Sequence, residues 1–475
     1  MSQPDGRSRN SLPTLLPLLG LGLLLEAGLV AMVLVLFRAP DTLTNIYGYN
    51  PSTRAFFAAG WGIPLPASLP VGTFQALFTG LWLALIALWL AAFLWARRML
   101  DSPAVRWSIF GLLLIFQVTL VLAMPPSLST DIYNYLAYGR MVAYHGLNPY
   151  TSTPYQMGTD PVLTFPIWNI VSHYGPPWIA LSAGIAWLSG RTALFPGLLL
   201  FKGAAALAHL GMAFLGYQLV KGWNGAAAAA GAILLGWSPL LLLEGAGNGH
   251  NDLWMMALAL AGLLAYRRKK PWWGLLLLLF SALVKFISLI LLLFYGLAWL
   301  REQEGTRVRL RLLGMIVGVS LLALALAYAP FWQGPVTLVG GIAEESTHYI
   351  LSPAAFLRAP LQGLWPALGL PADQAEGLTF LTLNVFQKVG LLAVVLWSAY
   401  YLWRRAEERL PYVMAAWGNT SLVYICLLHN AIFPWYFVWP LSTTAVEWYR
   451  PARRGAVWCS VALSALSVLF YGIPL

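Results

Sequence analysis

A few residues in this sequence carry charge or acid–base capacity where apolar surroundings make it costly. Asp131 stands in a polar stretch, Ser-Thr-Asp-Ile-Tyr-Asn-Tyr-Leu-Ala-Tyr-Gly-Arg (129–140), directly behind a long apolar run. Lys285 is alone inside another apolar run, and His250, Asn251 and Asp252 follow a glycine-rich turn. A carboxylate can take up a proton, an isolated intramembrane lysine can hold an anion, and an imidazole can do either. Each residue also has a plainer reading. Asp131 suits the first turn of a helix, Lys285 can snorkel to the surface, and Asn251 or Asp252 can cap the helix that follows. His250 and Asp252 are two metal-ligand types with no third at helical spacing, so no catalytic metal and no cofactor are expected.

The elements that must position these residues are membrane elements. Of 475 residues, 59% are hydrophobic and 9% charged, too few charges to cover a soluble surface of this size. Apolar runs of eighteen or more residues recur, for example at 12–37 and 71–95, and each can cross a ~30 Å hydrocarbon core at about 1.5 Å per residue. The fold class is therefore an all-α polytopic membrane protein. The first run is too long for a secretory signal and lacks a small-residue cleavage site, so it reads as a retained helix. The net charge of +11 lies in short clusters between apolar runs, which marks topology and gives no soluble face for nucleic acid. Cys426 and Cys459 fall in apolar segments and form neither a metal spacing nor a disulfide framework.

Short loops rich in Lys and Arg stay cytoplasmic. That places Arg7 and Arg9, Arg97 and Arg98, residues 267–270 and 301–311, Arg404 and Arg405, and residues 450–454 inside. Between them fall about 13 transmembrane helices, at 12–37, 71–95, 104–124, 193–220, 226–245, 251–266, 272–284, 286–300, 311–329, 379–403, 411–428, 433–448 and 455–474. Segment 178–188 is apolar, but parity makes it interfacial or re-entrant. The two short runs on either side of Lys285 join loops that both belong inside, which predicts a tight helical hairpin with Lys285 near its outer turn. The N-terminus is then cytoplasmic, and stretches 38–70, 125–192 and 330–378 are extracytoplasmic. The stretch after Ser129 predicts an amphipathic helix on the outer surface. Ile132, Leu136, Gly139 and Ala143 share one face; Asp131, Asn134, Tyr138 and His145 share another.

The order of motifs carries a resemblance. Residues 129–140, then Gly-Leu-Asn-Pro-Tyr (146–150) and Tyr-Gly-Pro-Pro-Trp (174–178), look like the first outer loop of GT-C fold glycosyltransferases. Within that group the chain is most similar to bacterial mannosyltransferases that use polyprenyl-phosphate mannose. Further matches are Glu-Gly-Ala-Gly-Asn-Gly-His-Asn-Asp (244–252), Leu-Val-Lys-Phe (283–286) and Phe-Pro-Trp-Tyr-Phe-Val-Trp-Pro (433–440). The resemblance implies one integral domain over 1–475: two accessory N-terminal helices in 1–103, a GT-C-like catalytic module in 104–445, and a C-terminal helix in 446–475. Two features depart from the family pattern. Two extra helices precede the loop, and Thr130 stands where relatives often carry arginine, so a basic residue near a donor phosphate must come from elsewhere.

Sugar transfer from a polyprenyl phosphate to a hydroxyl passes through an oxocarbenium-like state. It needs a base on the incoming hydroxyl and positive charge at the leaving phosphate. The resemblance implies the base role for Asp131, in an inverting hexosyl transfer at the outer face of the membrane. A carboxyl group with an ordinary pKa of about 3.9 would act in concert with bond breaking. Lys285 is the preferred phosphate cation, with His250 and Lys202 secondary. Asn251, Asp252, Tyr133, His145, Asn148, Tyr150, His173, Tyr174, His429, Trp435 and Tyr436 are candidate substrate contacts, each set against capping, loop hydrogen bonding or interfacial anchoring. Arg140 lies opposite Asp131 and has a structural or lipid-headgroup role, while Glu344, Glu345 and His348 are the polar cluster of the late outer loop. The implied partners are a polyprenyl-phosphate-linked sugar donor, a lipid-linked, glycan or protein acceptor, and membrane lipids. The alternative class is a transporter or lipid flippase, for which internal repeats and midplane binding groups would be expected; the polar residues gather at the outer boundary instead.

Overall fold

The computed structural model describes residues 12–41, 51–338, 349–404 and 409–471. They form helices α1 (Leu12–Phe37), α2 (Pro51–Gly60), α3 (Val71–Ala96), α4 (Pro103–Ala123), α5 (Asp131–His145) and α6 (Pro176–Ser189). Next come α7 (Leu194–Trp223), α8 (Ala228–Gly236), α9 (Pro239–Leu242), α10 (Asp252–Arg267), α11 (Pro271–Val284) and α12 (Leu289–Glu302). The chain continues through α13 (Thr306–Tyr328), α14 (Pro353–Ala367), α15 (Ala375–Arg404), α16 (Arg409–Val423), α17 (Val438–Thr444) and α18 (Arg454–Leu466). Among the described residues there is no strand, only an isolated bridge between Ile350 and Ala431.

Seven of the described helices are long and apolar enough to cross a membrane, and the bent pair Gly225–Gly236 with Pro239–Gly247 would make eight. The other segments assigned to crossings by hydropathy fold as shorter pieces: 16 residues in α10, 14 each in α11 and α12, 7 in α17 and 13 in α18. The breaks have visible causes. Pro239 opens a new helix, a π-turn follows at Leu243–Gly247, and Lys285 has extended backbone (φ −150°, ψ 121°). On the two sides of Lys285 the chain reverses as the expected hairpin. The Tyr295 hydroxyl, midway along α12, donates to the Pro271 carbonyl at 2.5 Å, and Trp272 packs edge-on against Trp299 at 4.8 Å.

Two glycines fix how the segment between α4 and α7 sits on this frame. A Cβ on Gly139 would lie 2.2 Å from the Ser182 carbonyl, so α5 and α6 cross with their backbones in contact, as small residues permit. A Cβ on Gly175 would lie 1.7 Å from the Leu283 carbonyl, so the Tyr-Gly-Pro-Pro turn rests directly on the hairpin that carries Lys285. Helix α5 ends at Gly146 in the left-handed region (φ 61°). Its polar face is not solvated: every residue from Ile132 to Met141 is buried, because α6 and the following loop cover it.

Candidate functional site

Asp131 lies at the N-terminus of α5, where a carboxylate also meets the helix dipole. Its backbone N–H donates to Ser129 Oγ at 3.2 Å, while Thr130 Oγ1 accepts from the Trp168 indole at 2.9 Å. The carboxylate is 17% exposed and faces a cleft. Tyr174 donates to its Oδ2 at 3.2 Å; the Tyr135 hydroxyl is 3.3 Å from that oxygen and 3.3 Å from Asn251 Oδ1.

Behind Asp131 stands His250, fully buried. Its Nδ1 is 3.5 Å from Asp131 Oδ2 and its Nε2 is 3.2 Å from Glu244 Oε2, ion-pair separations that lack hydrogen-bond geometry. The Trp435 ring stacks on the imidazole at 4.2 Å. Burial pulls the imidazole pKa down, but the two flanking carboxylates outweigh it and hold the group at about 9, so it is cationic at neutral pH. Burial pushes Asp131 up in turn; His250, with Lys285 and His173 beyond it, outweighs that and keeps the carboxyl below its ordinary value. Asp131 is therefore an anion beside a cation. Glu244 also accepts from the Tyr471 hydroxyl and from Asn248 Nδ2 at 3.1 Å.

Lys285 Nζ reaches both oxygens of Asp252, at 3.0 and 3.2 Å, and lies 4.8 Å from the Tyr436 ring centre. Asp252 Oδ1 also accepts from the Trp439 indole at 2.5 Å. Although Asn251 and Asp252 open α10, no side-chain cap hydrogen bond forms there. The cleft between these groups encloses about 690 Å³ and is lined by Thr130, Asp131, His173, Tyr174, Lys285, His429 and an aromatic wall that includes Phe433, Trp435 and Tyr436. Phe433 and Trp435 stack at 4.6 Å to form a flat platform. His173 Nδ1, in the cleft wall, is buried with no protein partner, a position that an incoming ligand can satisfy, whereas the equally unpartnered Asn251 Nδ2 lies behind the lining.

Several expected residues are elsewhere. Lys202 is fully buried away from the cleft; its Nζ donates to the carbonyls of Leu120 and Met124, at the end of α4, and lies 4.6 Å from the Phe57 ring centre. A cation there satisfies the orphan carbonyls of a helix C-terminus and is spent on structure. Tyr133 donates to the Pro126 carbonyl and stacks on Phe165 at 4.5 Å. Asn148 donates to the Phe331 carbonyl at 2.7 Å, and Tyr150 to the Tyr174 carbonyl at 2.9 Å, so both hold the loop that presents Tyr174. Arg140 and His145 each contact Asp160 at 2.8 Å, a buried network that pins the loop to α5 and leaves no headgroup contact for Arg140. Glu344, Glu345 and His348 lie outside the described residues.

Glu244 was not among the sequence candidates. Its signal was available as a lone carboxylate at the end of Leu-Leu-Leu-Leu (240–243), a setting in which ionisable groups are usually functional. Among the described residues no group of three or more His, Cys, Asp or Glu is placed to hold a metal.

An apolar helical bundle with a carboxylate, two cations and an aromatic platform at one end of α4 is the architecture of a polytopic membrane glycosyltransferase of GT-C type. Sequence comparison narrows the class. Residues 25–301 match the family model for the alpha-(1->6)-mannopyranosyltransferase N-terminal domain, more than half of the chain, and residues 373–470 match an MptB C-terminal domain. The chain belongs to this mannosyltransferase family. It is 26% identical over 393 residues to alpha-(1->6)-mannopyranosyltransferase A of Mycobacterium tuberculosis, covering 78% of this chain and 70% of that protein. A probable alpha-(1->6)-mannopyranosyltransferase of Mycolicibacterium smegmatis is 25% identical over 423 residues, 79% of this chain and 69% of that one. No solved structure matches the chain.

Proposed function

We propose that this mannosyltransferase takes mannose from a polyprenyl-phosphate donor and passes it, with inversion, to an acceptor hydroxyl at the outer face of the membrane. Orientation follows the basic loops, which put the N-terminus and the 267–270 and 301–311 loops inside and the Asp131 cleft outside. Residues 104–445 supply the catalytic module, with 1–103 as accessory helices. The observation that carries the reading is the Asp131 carboxylate, 3.5 Å from His250, at a cleft that also contains Lys285.

In the proposed step the acceptor oxygen forms a bond to the anomeric carbon as the bond from that carbon to the phosphate oxygen breaks. Asp131 takes the hydroxyl proton, and the electron pair leaves with polyprenyl phosphate. Lys285 and the unpartnered His173 Nδ1 line the cleft at the proposed phosphate position and take the place of the basic residue missing at Thr130, with His250 behind Asp131 adding charge from outside the cleft wall. The Phe433–Trp435 platform suits an apolar sugar face or the first prenyl unit. The acceptor is a glycan, lipid-linked or protein hydroxyl. The test is purified protein in detergent with a panel of polyprenyl-phosphate sugars and a soluble nucleotide sugar. The mannosyl lipid should be consumed with release of polyprenyl phosphate, and Lys285→Ala should weaken donor use while the protein still accumulates. Turnover with the nucleotide sugar alone would overturn the donor assignment, and unchanged donor kinetics in Lys285→Ala would assign that lysine to packing.

A further inference from the structure

A second cavity lies at the opposite end of the bundle from Asp131. Helix α3 runs antiparallel to α4 and ends at Arg97, α7 ends at Trp223, and α18 begins at Arg454; all three termini meet there. The cavity spans about 760 Å³, part of it open to solvent, and is lined chiefly by Phe93, Arg97, Asn224, Trp448, Arg454 and Trp458.

The walls are built. The Trp448 indole donates to the Ala227 carbonyl at 3.1 Å, which fixes that ring, and Phe93 packs edge-on against it at 5.2 Å. The Arg97 guanidinium lies 5.4 Å from the Trp448 ring centre and 5.7 Å from that of Phe93, so its plane is positioned without using its donors on an acid. Two described carboxylates at this end are already engaged. Glu447 accepts from Arg453 at 3.0 Å, and Asp101 pairs with Lys221 at 3.0 Å while accepting from Tyr217. Among the described residues neither Arg97 nor Arg454 has an ion-pair partner. Two guanidinium groups thus face one cavity with no ion-pair partner among the described residues, beside Trp458, which is 44% exposed.

Guanidinium groups match phosphate oxygens in pairs, and basic pockets between transmembrane helices on the side of the basic loops take lipid head groups. We propose that this cavity binds the phosphate ester of an anionic phospholipid, with Arg97 and Arg454 on the phosphate and Phe93, Trp448 and Trp458 against the glycerol and upper acyl carbons. If Asp131 faces outward, the site belongs to the cytoplasmic leaflet and is separate from the donor cleft.

Native mass spectrometry of the full chain released from detergent, with phosphatidylglycerol, phosphatidylcholine, glycerol 3-phosphate or inorganic phosphate added in turn, tests the proposal. One phosphatidylglycerol should be retained in preference to phosphatidylcholine. Arg97→Gln with Arg454→Gln should weaken that retention roughly thirtyfold, about fivefold for each basic residue removed, with mannosyl transfer unchanged. Should the double variant fail to accumulate, Arg454→Gln alone should show the fivefold loss. Retention of glycerol 3-phosphate or phosphate, lost in the variant but with no preference among lipids, would keep the phosphate site and remove the lipid as its source. Equal retention by wild type and variants, or none of any ligand, would overturn the proposal.

Discussion

Helices α13 and α15 share a bundle with α10, α11 and α12, yet the two groups are made differently. The span Thr306–Phe331 has 17% of its apolar window buried and Ala372–Arg404 has 22%, with Leu321, Val385 and Leu392 facing outward. These helices are long and unbroken, and predominantly apolar despite the arginines that open α13 and Asn384, Gln387 and Lys388 within α15. The group around the cleft is short and interrupted, and its polar side chains point inward: Asp252 at the start of α10 pairs with Lys285 at the hairpin turn, and Ser281 Oγ donates to the Met255 carbonyl at 2.8 Å. In lipid an unpaired polar group costs several kcal/mol, so a helix can break only where neighbours take up its freed backbone and side-chain groups. The site therefore falls where the helices are interrupted.

The largest effect should come from the interrupted group. Asp131→Asn keeps the size and the helix start but removes the charge and basicity. Turnover should fall on the order of a hundred- to ten-thousand-fold, as for loss of a general base, and thermal stability should drop as well, because buried His250 loses one of the two carboxylates that hold its charge. Activity near wild type would move the base to Asp252 or Glu244 and break the association of the site with α5.

A smaller effect should appear on the alkaline side of the pH profile. His250 has its pKa raised to about 9 by Asp131 and Glu244, above the ordinary value of about 6.5. A group whose folded pKa is raised stabilises the folded state fully below its unfolded pKa, and that contribution is lost as pH rises through the folded one. From about pH 6.5 to 9, most steeply midway between the two values and levelling off above 9, wild-type protein should lose stability that His250→Gln does not lose over the same range. Its kcat/KM should also decline near pH 9 as the cation beside Asp131 disappears. An alkaline limb equally steep in His250→Gln would assign the titration to another group.

The smallest effect belongs to the outward-facing helices. Leu321, 60% exposed, has no pocket contact, so Leu321→Ala should shift stability by no more than about 0.5 kcal/mol and leave transfer unaltered. A tenfold loss of turnover would mean that α13 does more than close the bundle.

What the sequence made legible follows the same division. Hydropathy located every long helix because predominantly apolar composition needs no partner to be recognised. It also found the hairpin at Lys285, since a lone cation between two runs too short to span leaves few other geometries. It could not separate complete crossings from broken ones, because Pro239, the π-turn and Lys285 interrupt runs whose composition stays apolar. Among site candidates, Asp131, His250, Asp252, His173, Tyr174, Lys285, Trp435 and Tyr436 come together because each lies beside a helix break at one end of the bundle. Lys202 shows the limit of reading residue type alone. It is an isolated cation in an apolar helix just as Lys285 is, but the end of α4 supplies two carbonyls within its reach. Glu244 was hidden by the opposite error, since the glycines after it drew attention to the turn and away from the carboxylate.

The central claim is that Asp131 acts in the transfer step and not in holding the donor or the helix. Single-turnover measurement on purified Asp131→Asn, loaded with polyprenyl-phosphate mannose and then mixed with acceptor, separates these roles. Donor should bind within about threefold of wild type while the transfer rate drops at least a hundredfold, on the scale of general-base loss. Transfer at the wild-type rate, or loss of donor binding with transfer intact once the site is saturated, would contradict it.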